Sequence, residues 1–103
     1  MTTEQEQKPE TRKAYRQRRE AQIQELAARL DLWEAKAKKA AAKGEIRYRE
    51  ELESLRQKLE TARVRISLLK DASEDAWKDL RGGLDEAVDD LKRAVKKAAS
   101  KFE

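Results

Sequence analysis

The chain has 103 residues, of which 45% are charged and 38% hydrophobic, and its net charge is +4. That composition excludes a thick globular core, and one proline with three glycines leaves too few turn residues for a fold of many short strands. With neither cysteine nor histidine, it has no disulfide or thiolate chemistry and lacks both the usual general base and most transition-metal ligands.

Residues 1–10 read as a disordered polar tail with nothing to bury and no apolar run of a signal peptide. Pro9 and Glu10 suit a first helical turn, with Thr11 as an alternative N-cap. A helix is then predicted from near residues 9–12 to Gly44. Its apolar stripe, Ile23, Leu26, Leu30, Trp33, Ala37 and Ala40, advances in alternating steps of three and four, the signature of a coiled-coil seam. After Gly44 the alternation resumes with Tyr48, Leu52, Leu55, Leu59, Ala62, Ile66 and Leu69. A straight helix through Gly44 would carry this second stripe about 120° out of register with the first. Folding the chain back near Gly44 instead pairs Ala37 with Leu52, Trp33 with Leu55, Leu30 with Leu59, Leu26 with Ala62 and Ile23 with Ile66. An antiparallel coiled-coil hairpin over residues 11–81 is the reading that makes sense of the break.

Gly82-Gly83 is the next interruption, costing about 2 kcal/mol relative to alanines in a helix interior. The apolar stripe keeps its phase from Ser73 through Leu84 to Ala98, with an eleven-residue stutter. Asp71 with Glu74 forms a candidate capping box, and Ser73 is a rival N-cap. The expectation is a kink or joint at 82–83, followed by a distinct amphipathic C-terminal helix over 84–102, with folding back and straight continuation both open. The first helix is too short to cover everything after Gly44, so unless the joint closes the stripe Leu84, Val88, Leu91, Val95 and Phe102 is predicted to lie exposed and to drive self-association. Acids fill the first half of this segment and bases the second, so two antiparallel copies would set acids against bases.

The residues that carry chemistry elsewhere are sparse here. There is no phosphate-binding glycine loop, and the acids at 50–53 and 85–90 fall on exposed helix faces without the concavity that acid–base work or a calcium cage requires. The chain is read as no enzyme, with no cofactor and no metal. Arg12, Lys13, Arg16 and Arg19, with Tyr15 among them, form the best polyanion signal, since three of these arginines share one helical face. The favoured reading of Arg16 and Arg19 is that their stems extend the seam toward Leu69 and Ser73 and their heads reach water or the acids at 71–75. Trp33 is assigned to core packing, and Trp77 is expected to anchor the C-terminal helix. The pairs Glu25–Arg29, Glu34–Lys38, Glu45–Arg49 and Glu74–Lys78 support helices by a few tenths of a kcal/mol each. No stretch approaches the roughly 20 apolar residues of a membrane span.

The stretches "LDLWEAKAKKAAAK", "EIRYREELESLRQKLETARVRI" and "DASEDAWKDLRGGLDEAVDDLKRAVKKAASKF" together resemble small bacterial coiled-coil proteins, some of them labelled stress-response proteins. The resemblance covers residues 11–103 and implies a bacterial cytoplasmic coiled coil without catalytic residues, with a link to stress. Three expectations follow. The fold is all-α, an antiparallel helical hairpin with a jointed C-terminal amphipathic helix. The function is that of a structural or interaction protein, self-associating as a homo-oligomer or binding a helical partner. The rival reading is a surface binder of nucleic acid or anionic membrane through its basic and amphipathic helices.

Overall fold

The computed structural model describes residues 11–41 and 46–103, and in them the fold is all-α. Three helices follow one another: α1 Arg12–Ala41, α2 Ile46–Leu69 and α3 Glu74–Phe102. The N-terminal tail predicted for residues 1–10 and the turn predicted at Gly44 lie outside the described residues.

Local chemistry sets the helix starts. Thr11 opens α1, its hydroxyl accepting from the Ala14 amide at 3.1 Å while its carbonyl accepts from Tyr15 at 2.9 Å. Ser73 does the same for α3, accepting from the Ala76 amide at 3.2 Å, with Glu74 and Asp75 complementing the dipole in the first turn.

The hairpin of α1 and α2 is present. Arg56 on α2 holds Glu34 and Asp31 on α1, and the seam residues Ile23, Leu26, Leu30, Trp33, Leu52, Leu55, Leu59, Ala62 and Ile66 are all buried. The C-terminal helix folds onto this hairpin. Arg65 meets Gly83, Lys58 meets Asp90 and Lys101 meets Glu51, so α3 runs antiparallel to α2. Tyr15 meets Trp77 and Arg29 meets Glu103, so α3 runs parallel to α1. The result is an up–down–up three-helix bundle.

Two expectations need correction. The joint is not at Gly82-Gly83, because α3 passes through both glycines as one helix of 29 residues. The chain reverses at 70–73, where Lys70 and Ala72 donate to the last carbonyls of α2 and Ser73 caps α3. The glycines are carried because α3 is buried on both sides of them, by Trp77 before and by Leu84, Ala87 and Val88 after. Burying one such large side chain yields about 1.5–3 kcal/mol, enough to offset about 2 kcal/mol of glycine cost. The boundary between hairpin and third helix therefore falls at 70–73.

The second correction concerns the tail stripe. Leu84, Val88, Leu91, Val95 and Phe102 are at most 7% exposed in the single chain. Reversal at 70–73 lays α3 along both hairpin helices, and the stripe expected to seek a second molecule closes the core of the first. Phe102 stacks on Trp33 with ring centroids 5.2 Å apart and also meets Tyr48 at 5.1 Å, sealing one end of the bundle.

Candidate interaction surfaces

With the tail stripe buried, a surface for a partner must be sought on the outer helix faces. The basic end comes first. Arg12 lies 4.9 Å over the Trp77 ring and 3.7 Å from Glu74. Arg19 is 8% exposed, and its guanidinium reaches Asp85 at 2.7 Å and Gln22 at 2.9 Å, not the acids at 71–75. The reason lies in the reversal at 70–73, which brings the first turns of α3 beside α1. Of the predicted polyanion residues, only Lys13 and Arg16 have no such partner in the described structure; Lys13 is exposed and Arg16 half-buried.

Arg19 belongs to a network that locks α1 to α3. The Tyr15 hydroxyl donates to Asp85, and the Tyr15 ring packs edge-on against Trp77 at 5.9 Å. Arg18, Arg19 and Arg81 surround that ring within 4.8–5.7 Å. Burial opposes ionisation of Asp85, but hydrogen bonds from Tyr15 and Arg19, with the charges of Arg19 and Arg81, outweigh it and hold the carboxyl below its ordinary range. Burial, then the hydrogen bond to Asp85, pushes the Tyr15 hydroxyl up.

Sequence reading paired Arg29 and Glu34 within their own helix, whereas the bundle uses both, with other charges, between helices. Arg29 takes Glu103 at 2.7 Å, Glu34 takes Arg56, and Lys58 takes Asp90 at 2.8 Å. The acids at 85–90 consequently diverge, Asp85 toward α1 and Asp90 toward α2. Among the described residues, no group of three or more acidic side chains could hold a metal ion.

Two further surface features bear on a partner. A groove of about 420 Å³ runs between α1 and α2, floored by Ala37 and Leu52 and rimmed by Glu34, Lys38, Arg49, Glu53 and Arg56. Its rim charges are mixed, and Arg56 is already held by Glu34, which lowers the pKa of that carboxyl through its hydrogen bond. The other feature is the outer face of α2, where Ser54, Gln57, Thr61, Val64 and Leu68 are all exposed. Val64 is 50% and Leu68 51% exposed, two of the three large hydrophobic side chains so placed among the described residues; the third, Leu32 at 55%, lies on α1. The Thr61 hydroxyl donates to the Gln57 carbonyl at 3.0 Å, which leaves its methyl group as the outward feature. Five successive positions of one face carry no charge, in a chain that is 45% charged.

Sequence reading missed this face because its residues are only weakly hydrophobic. The available signal was the absence of charge at a three-four spacing opposite the leucine seam. No helix among the described residues is long and apolar enough to cross a membrane. Comparison with known proteins adds no relative: no family model, curated protein or solved structure matches the chain.

Proposed function

We propose that this protein is a non-enzymatic helical interaction module, a three-helix bundle that associates with another helix through the outer face of α2. The observation that carries this reading is the uncharged exposed stripe Ser54–Gln57–Thr61–Val64–Leu68 on a bundle whose core is already closed. A helix laid along such a stripe packs knobs into holes at the same three-four spacing that builds the core. The resemblance to bacterial coiled-coil proteins supports a bacterial cytoplasmic setting and a role under stress. Binding of nucleic acid or anionic lipid draws less support, since Arg12 and Arg19 are engaged within the chain and the apolar face of α3 is covered.

Light-scattering mass across a dilution series, at low and high salt, tests the reading on the intact chain and on Val64→Asp/Leu68→Asp. Association through the stripe persists at high salt, less the screened contribution of charges at its edges, and disappears in the double variant, whose helical content stays unchanged because both positions are exposed. Association that survives the double variant, or that collapses steeply with salt, overturns the assignment.

A further inference from the structure

The stripe on α2 has flanks, and their charges are ordered. Written as heptads, Ser54, Thr61 and Leu68 occupy a positions and Gln57 and Val64 occupy d positions. The g positions beside them are then Glu53 and Glu60, and the e positions are Lys58 and Arg65. One edge of the stripe is acidic and the other basic. The acidic edge lies on the α1 side and the basic edge on the α3 side, where Lys58 meets Asp90 and Arg65 donates to the Gly83 carbonyl at 2.7 Å.

Resting on the assignment of this face as the association surface, we infer that its occupant is a second copy of the same chain, with the two α2 helices parallel about a two-fold axis. In a parallel pair, each g residue faces the e residue five positions later on the partner. That sets Glu53 against the second copy's Lys58 and Glu60 against its Arg65, and the two-fold axis makes each contact twice. In an antiparallel pair g faces g and e faces e, so glutamates would meet glutamates and bases would meet bases. Charge complementarity selects the parallel order.

The edge residues are available for this pairing. Glu53 and Glu60 are exposed, and neither carboxylate pairs with a base among the described residues. Lys58 can hold an acid on each side, and Arg65 uses one nitrogen of its fork on Gly83, leaving others for a second carboxylate. The polar a and d residues Ser54 and Gln57 limit strength and fix register. A seam of five residues per chain falls among interfaces smaller than about 1,200 Å², the class of weak and transient contacts.

Because the chain contains no cysteine, orientation can be read directly by crosslinking. Ser54→Cys lies at the far end of the stripe from Leu68. In a parallel dimer it meets its own copy, and mild oxidation yields a species of twice the 12.0 kDa chain mass. In an antiparallel dimer a positions face d positions, setting residue 57 opposite residue 68, and only a mixture of Gln57→Cys and Leu68→Cys chains crosslinks. Sedimentation equilibrium from about 10 μM to about 2 mM gives the affinity of the unmodified chain, of Val64→Asp/Leu68→Asp and of Glu53→Lys/Glu60→Lys. The inference expects a reversible dimer, lost at least tenfold in affinity in either double variant, with crosslinking by Ser54→Cys alone. A dimer that the Val64/Leu68 variant abolishes but the Glu53/Glu60 variant leaves intact, or one that crosslinks only in the mixture, overturns the parallel order and leaves the surface assignment standing. A chain that stays monomeric to the highest concentration overturns the second copy as occupant. Dimerisation untouched by Val64→Asp/Leu68→Asp overturns the surface itself.

Discussion

Replacing both central glycines of α3 by alanine should stabilise the protein substantially. Gly82 and Gly83 lie inside a continuous helix, nine and ten residues into its 29. A Cβ at Gly82 would meet nothing within 4 Å. One at Gly83 would meet only the flexible end of Arg65, at 3.7 and 3.9 Å, an ordinary contact distance. The Arg65 hydrogen bond goes to the Gly83 backbone carbonyl, which alanine retains. Neither site therefore imposes a steric penalty, and what remains is glycine's excess freedom in the unfolded chain. That is worth about 0.8–1.0 kcal/mol per site in a helix interior, and the two add because their side chains would share no partner. The double variant should gain about 1.6–2 kcal/mol. At about 4–8 °C per kcal/mol for a domain of this size, the thermal midpoint rises by about 6–16 °C. Thermal melts followed by circular dichroism at 222 nm, on both single variants and the double, measure it. An unchanged or lowered Tm in Gly82→Ala would refute the reasoning, since it would mean that the backbone there bends out of the helical region in solution.

The buried tail stripe and the α1–α3 network each yield a further expectation. Leu91, fully buried between the helices, should not tolerate a charge: Leu91→Asp loses the apolar burial and adds an unpaired carboxylate, together about 5 kcal/mol or more. Helical signal at 25 °C should then collapse at every protein concentration, whereas a folded monomer would show that the stripe is an association surface after all. Asp85, held below its ordinary value of 3.8, stabilises the fold above that pH and loses its contribution as pH falls through the lowered value. Tyr15, raised above 10.0, acts in the opposite sense: its contribution is complete below pH 10 and is lost as pH climbs past it. The urea midpoint should therefore hold level through neutrality and fall below about pH 4, less steeply in Asp85→Asn; an identical acid slope in that variant would remove Asp85 from the account.

The hairpin was legible because its two seams are built from leucine, isoleucine and tryptophan at an unbroken three-four spacing, with a phase break that only a reversal resolves. The third helix was legible as an amphipathic unit but not in its placement. Two signals competed for the second reversal: a double glycine at 82–83, strong by intrinsic preference, and the cap residue Ser73 after a short polar stretch. Intrinsic preference lost because it acts on two residues, while the cap lets all of α3 bury Trp77, Leu84, Val88 and Leu91 against both hairpin helices. The same error propagated to the surface. Once α3 was taken to lack an intramolecular partner, its stripe became the natural interface, and Arg19 was sent toward Ser73 instead of Asp85.

The outer face of α2 poses a different problem, because hydropathy is the wrong quantity to search for it. Its residues 54, 57, 61, 64 and 68 keep the spacing of the seam at 52, 55, 59, 62 and 66, yet they are serine, glutamine, threonine, valine and leucine, three of them polar. The contrast lies with α3, where the exposed residues Asp75, Asp79, Glu86, Asp89, Arg93 and Lys97 line the outer face with charge. A solvated helix in so charged a chain has every means to carry ions at each outward turn, and α3 does. From Ser54 to Leu68 the stripe on α2 carries none, with Glu53 and Glu60 along one edge, Lys58 and Arg65 along the other, and the exposed bases Arg56 and Arg63 beyond the acidic edge. Full burial would require stronger apolar residues than these. Lys58 and Arg65 also serve Asp90 and Gly83 on α3, so support for the proposed contact comes from the uncharged stripe together with Glu53 and Glu60 on its other edge, unpaired among the described residues.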